Sequence, residues 1–130
     1  MKTGPALFRV TTGVIFLQLL LGGLLTFDFI SAAPHIILGF VVFILAIATM
    51  ILAIVSKPAF KPVRNMSIVL VVLIIVQILL GFATLSNGNQ AIAWVHFIVA
   101  MGIYGLAVSG SVIAVRWDQK MKAAPEGVKK

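Results

Sequence analysis

No cysteine occurs in the chain. Disulfides, thiolate metal centres, iron–sulfur clusters and covalently attached c-type haem are therefore excluded. Acids are nearly as scarce. Asp28, Asp118 and Glu126 are the only three in 130 residues, so the paired carboxylates of many hydrolases are missing. Nor is there a glycine loop that would cradle phosphate, or a nucleophile beside a base. Charged residues make up 10% of the chain, against roughly 25% in soluble domains. What is abundant is apolar: 62% of residues are hydrophobic and the mean hydropathy is +1.19. A single domain of this length cannot hide that much apolar surface inside itself. The composition implies an integral membrane protein whose first partner is the lipid bilayer.

A transmembrane helix needs about 20 mainly apolar residues to cross roughly 30 Å of hydrocarbon. Four stretches qualify: Leu7–Ile30, His35–Val55, Met66–Ser86 and Ala91–Val115. Turn chemistry separates them, with Pro34 in "SAAPH", Pro58 and Pro62 in "SKPAFKPVRN", and Asn87-Gly88 in "SNGNQ". The first apolar run is longer than a signal core and no small-residue cleavage site ends it, so it reads as a retained span. The expected fold is an all-α membrane domain over residues 1–115, a bundle of four transmembrane helices. Residues 116–130 follow as a basic, solvated tail with Trp117 as an interface anchor.

The net charge of +7 sits on one side of this pattern. Lys2 and Arg9 flank the first span, Lys57, Lys61 and Arg64 lie between the second and third, and Arg116, Lys120, Lys122, Lys129 and Lys130 follow the fourth. The loops around Pro34 and Gly88 carry no cation. The positive-inside rule then puts both termini and the middle loop in the cytoplasm. The basic charge is an orientation signal rather than a nucleic-acid surface, which would need a folded basic face.

The two halves repeat. "LQLLLGGLLT" matches "VQILLGFATL", aligning Gln18 with Gln77 and Gly22 with Gly81. A short loop and a helix that opens near a histidine follow each. Each half crosses twice, so the halves share one orientation, as parallel repeats do. Gln and Gly recur as ordinary membrane packing residues, which leaves the matched histidines unexplained.

His35 and His96, the only two histidines, fall at equivalent repeat positions and at similar depth near the outer face. Ionisable residues inside membranes are expensive and mark functional sites by default. Side chains from facing helices meet in the core of a four-helix bundle. Two imidazoles on different helices there can approach one metal from opposite sides, the arrangement of a bis-histidine haem. Gly39 and Ala100, each four residues after a histidine, are small enough to admit a porphyrin edge on the same helical face. Gly102 and Gly105 thin the fourth helix further. Bare zinc or copper would be short of ligands. Asp28 is the one acid on the outer side, Tyr104 reads as a packing aromatic, and Thr26, Thr84 and Ser109 should bond their own helix backbone.

With these residues assembled, the chain resembles the haem A synthase (cytochrome oxidase assembly) family over residues 12–110, as a single four-helix half. The resemblance rests on Gln18–Gly22 and Gln77–Gly81, each preceding a helix with a histidine near its outer end. It implies a b-type haem held by His35 and His96 in a prokaryotic plasma membrane, acting in haem A formation. It also implies a homodimer, or a subunit of a respiratory oxidase complex, in place of the missing half. The family's catalytic half has a glutamate three residues before its first histidine, where this chain has Ala32. It also has a basic residue after the histidine, where this chain has Ile36 and Phe97. The match is to the cofactor-holding half. An electron-transfer cytochrome b subunit, or an accessory membrane subunit without cofactor, are the main alternatives; a proton or quinone site, and a small transporter to which only Gln18 and Gln77 would answer, fit the residues less well.

Overall fold

The computed structural model describes residues 3–56 and 61–125. Within them the chain forms α1 (Thr3–Thr26), α2 (Ala32–Val55), α3 (Lys61–Asn87) and α4 (Gln90–Ala123), and no strand. The 24 residues of α1 and of α2 give each roughly 36 Å of helix, enough to cross a bilayer core. All four helices are long and apolar enough to span. Each packs against its neighbours in a ring, α1 on α2, α2 on α3, α3 on α4 and α4 on α1. α2 and α4 therefore lie on one diagonal.

The helix ends differ from the expected spans for definable reasons. α2 starts at Ala32 rather than His35, with Pro34 inside its first turn. Proline costs nothing there, because the N–H it lacks would have had no helical partner. Pro62 occupies the same kind of position in α3, which begins at Lys61 rather than Met66. α4 continues to Ala123 instead of ending at Val115. Its added turns carry an Asp118–Lys122 pair at i,i+4 spacing, and Lys120 and Lys122 face the negative end of the helix dipole.

α1 stops at Thr26, short of the expected Ile30. Asp28 turns the chain in the left-handed region at φ 59°. Phe29 N–H donates to the Leu24 carbonyl at 2.9 Å and Asp28 N–H to Leu25 at 3.1 Å, the bond pair of a Schellman cap. At the end of α3 the same job falls to Gly88, φ 59°, with a single bond from its N–H to Thr84. Asp28 thus does with a side chain what Gly88 does without one, and places a negative charge at a helix C-terminus. Asp28→Gly is expected to stabilise the bundle by about 0.5–1 kcal/mol. A higher unfolding midpoint in detergent would show it; a lower one would contradict it.

The buried core includes Phe8, Ile15, Val42, Ala46, Leu70, Ile74, Ile103 and Ala107. Several contact positions are small: Ala46, Ala107, Thr11 and Ser67 are fully buried, which lets the helix backbones approach. Interhelical hydrogen bonds join them, between the Thr11 and Thr49 hydroxyls at 2.9 Å and from Thr12 to the Ala107 carbonyl at 3.1 Å. Outside is an apolar surface, with Ile37 and Ile44 each 65% exposed and Ile98 64% exposed. So wide an apolar exterior suits lipid and not water.

Neighbouring helices run antiparallel, so Arg9, Lys61, Arg64, Arg116, Lys120 and Lys122 share one end of the bundle. Lys2, Lys57, Pro58, Lys129 and Lys130 lie outside the described residues. The start of α2 and the early turns of α4 form the opposite end, where both histidines are.

Candidate functional site

His35 lies in the first turn of α2 and His96 in the second turn of α4. The two helices occupy a diagonal, and both side chains turn inward. Their ring centroids are 6.3 Å apart, with the ring planes at 72°. The structure thus brings together the two residues that the repeat had singled out.

The helix before each histidine holds it in the same way. Gln18 donates from Nε2 to the His35 backbone carbonyl at 2.9 Å, and Gln77 donates to the His96 carbonyl at 2.8 Å. Gln18 Nε2 also stands 3.3 Å from His35 Nε2. One turn beyond each glutamine a glycine supports the ring. A Cβ on Gly22 would lie 3.1 Å from His35 Cε1, and a Cβ on Gly81 would lie 3.1 Å from His96 Cε1. Gln and Gly four residues apart share a helical face, so one stripe of α1 and one of α3 each seat an imidazole. Sequence reasoning took Gln18, Gln77, Gly22 and Gly81 for packing residues. The signal that marks them as part of the site is their exact recurrence with the histidines.

Gly39 lies on the inner side of α2, but its neighbour is Gln18: a Cβ there would stand 3.1 Å from Gln18 Nε2. Its repeat equivalent is Ala100, half-buried, in the half where the Gln77–His96 bond forms at 2.8 Å. The second half therefore serves as an internal control for the first. Gly39→Ala is expected to change stability by no more than about 0.5 kcal/mol, because a few tenths of an ångström suffice to admit the methyl. Gly39→Val should break the Gln18–His35 bond and cost about 1–3 kcal/mol through overpacking. Unfolding midpoints of the two variants decide the point.

Other expected residues are placed elsewhere. Gly102 and Gly105 are exposed, with nothing within 4 Å of an added Cβ, so they thin the outer face of α4 and not the interior. Tyr104 packs on Phe16 with ring centroids 5.7 Å apart. Thr26, Thr84 and Ser109 bond the carbonyls one turn back in their own helices at 2.9 Å. Asp28 is in the α1–α2 turn, exposed. Ser31, Ser86, Asn87, Asn89, Gln90 and Trp94 form an exposed polar and aromatic rim at the histidine end, where Asn89 caps α4 by accepting from Ala91 N–H at 2.9 Å.

Four buried polar atoms at the site lack a hydrogen-bond partner: Nδ1 of His35 and of His96, and Oε1 of Gln18 and of Gln77. Each such atom costs about 1–3 kcal/mol, and concentrations of them in native proteins call for a ligand, ion or water. Among the described residues no group of three or more His, Cys, Asp or Glu could cage a bare metal. Two opposed imidazoles suit a metal whose remaining positions come from its own macrocycle. Two imidazoles from diagonal helices, with ring centroids 6.3 Å apart, are a donor set that fits a haem iron.

Comparison with protein-family models, with curated proteins and with solved structures returns no match.

Proposed function

We propose that this chain is a membrane cytochrome of haem A synthase type that holds one haem b between His35 and His96. The observation that carries the proposal is the 6.3 Å separation of two imidazoles across the bundle diagonal, each with a buried ring nitrogen lacking a partner. His35 and His96 would hold the haem iron. Gly22 and Gly81 keep space beside the rings, while Gly39 and Ala100 flank the site one turn deeper. Bound there, haem would supply one-electron transfer.

The family resemblance supports a place in haem A formation, with this chain as the cofactor-holding half beside a second copy or a respiratory oxidase subunit. A specific observation favours the other reading, a plain electron-transfer cytochrome b subunit. Ala32 stands where the catalytic half has its glutamate, and among the described residues Asp28 is the one acid at the histidine end. The clustering of cations at the opposite end supports a multi-pass protein with both termini in the cytoplasm and the haem toward the outer face of a prokaryotic plasma membrane.

A reduced-minus-oxidised spectrum of the purified protein, with pyridine haemochrome typing, tests the haem. Sharp low-spin b-type bands at one haem per chain are expected, and colourless protein from haem-replete cells rules the proposal out. Haem A content of membranes with and without the chain separates the two readings: a fall on deletion supports haem A formation, and no change supports electron transfer alone.

A further inference from the structure

Gln18 and Gln77 are the two polar side chains in the neighbourhood of the histidines that bridge helices, and they do so identically. Each amide leaves the helix before the histidine, crosses to the next helix and donates to the backbone carbonyl of the histidine itself. In a membrane this matters more than the bond's modest strength indicates. Lipid is as apolar as the helix surface, so no hydrophobic force selects a rotation or depth for a helix that is apolar all round. α2 is such a helix. A slip of one residue along α2 turns its histidine by about 100° and shifts it by about 1.5 Å, enough to take the ring off the diagonal. A directional bond to the histidine's own carbonyl opposes both movements at the residue that must be placed.

We propose that Gln18 and Gln77 are positioning residues that fix the rotation and depth of α2 and α4, so that His35 and His96 face each other. Gly22 and Gly81 complete each unit by stopping the ring from the other side at Cε1. Backbone carbonyl and ring edge are thus both held by one face of the preceding helix. The units are not equal. Gln18 Nε2 also lies 3.3 Å from His35 Nε2, a contact the second unit lacks, while the carbonyl bond and the glycine are common to both.

The inference rests on the haem proposal for its optical readout and is independent of it for its structural one. The variants are Gln18→Met and Gln77→Met, of similar size and without a donor. In full-length protein with haem bound, each Met variant is expected to keep its helical circular dichroism and lose about tenfold in haem affinity. A high-spin fraction that binds carbon monoxide should appear in each. The double variant should lose roughly a hundredfold, since the two bonds lie on separate helix pairs. In haem-free protein, spin labels on Ser31→Cys and Gln90→Cys, both exposed and in a chain without native cysteine, read the relative placement of α2 and α4. The distance distribution should broaden in both Met variants.

Unchanged distances together with unchanged spectra and affinity would overturn the positioning role. Should the wild-type chain bind no haem while the distances still broaden, the glutamines stand as positioning residues and the cytochrome proposal alone falls.

Discussion

His96→Ala is expected to lower haem affinity by more than about a hundredfold, beyond the 10–100-fold typical when only a supporting bond to a metal ligand is lost. His35→Ala should do the same, because one imidazole cannot span the diagonal. Neither change should unfold the protein. The haem-free bundle contains a buried Nδ1 without a partner on each ring, so removing either ring relieves a desolvated polar atom and leaves stability unchanged or slightly raised. Loss of colour with retained helicity is thus the signature of a ligand, whereas a structural histidine would give the reverse. Exogenous imidazole should partly restore the low-spin bands of His96→Ala by entering the space left by the ring. A His96→Ala protein that keeps its haem content and Soret band would end the ligation proposal.

The second large effect lies at the opposite end of the bundle, where Phe8 of α1 is 2% exposed against buried Gly110 of α4. A Cβ on Gly110 would sit 2.6 Å from both Cε1 and Cζ of Phe8, closer than real contacts allow. Phe8 is enclosed by the core and cannot swing aside cheaply. Gly110→Ala should therefore cost about 1–3 kcal/mol, and Phe8→Ala about 3–5 kcal/mol through the cavity it opens. Because the first clash vanishes when the ring is gone, the double variant should be less destabilised than the sum by at least about 1 kcal/mol. Equilibrium unfolding in mixed micelles measures all three, and strict additivity would show that the two residues do not meet. Phe8 and Gly22 are separated by roughly 21 Å along α1, so surviving folded protein should show unaltered haem spectra.

These two experiments probe features that differ in how far the residues alone disclose them. The histidine pair is visible in the sequence because the bilayer makes ionisable groups rare and because the repeat aligns the only two imidazoles. The seat beneath them is not visible. Gln18 and Gly22 look like general packing residues until the fold shows one donating to the His35 carbonyl and the other stopping its ring. Phe8 and Gly110 are separated by nearly the whole bundle in sequence, and no local pattern couples them. Gly102 and Gly105 illustrate the same limit in reverse: glycines near a site residue in the chain, yet turned outward in space.

Helix ends divide along similar lines. The apolar stretches locate each crossing, but the first and last turns obey backbone hydrogen bonding rather than hydropathy. Pro34 and Pro62 enter helices that hydropathy would begin after them, since an early-turn proline forfeits no helical bond. α1 is cut short by the turn at Asp28.

What the amino-acid order determined on its own is the number of helices long and apolar enough to cross a membrane, the segregation of basic charge to one end, the two-fold repetition and the identity of the two candidate ligands. All of these follow from what a bilayer tolerates and need no knowledge of neighbours. Which face of each helix turns inward was decided only by tertiary packing. In a chain whose helices are apolar on every side, lipid and protein interior present the same solvent, so hydropathy carries no information about rotation. That choice falls to small residues, close contacts and a few directional hydrogen bonds between helices.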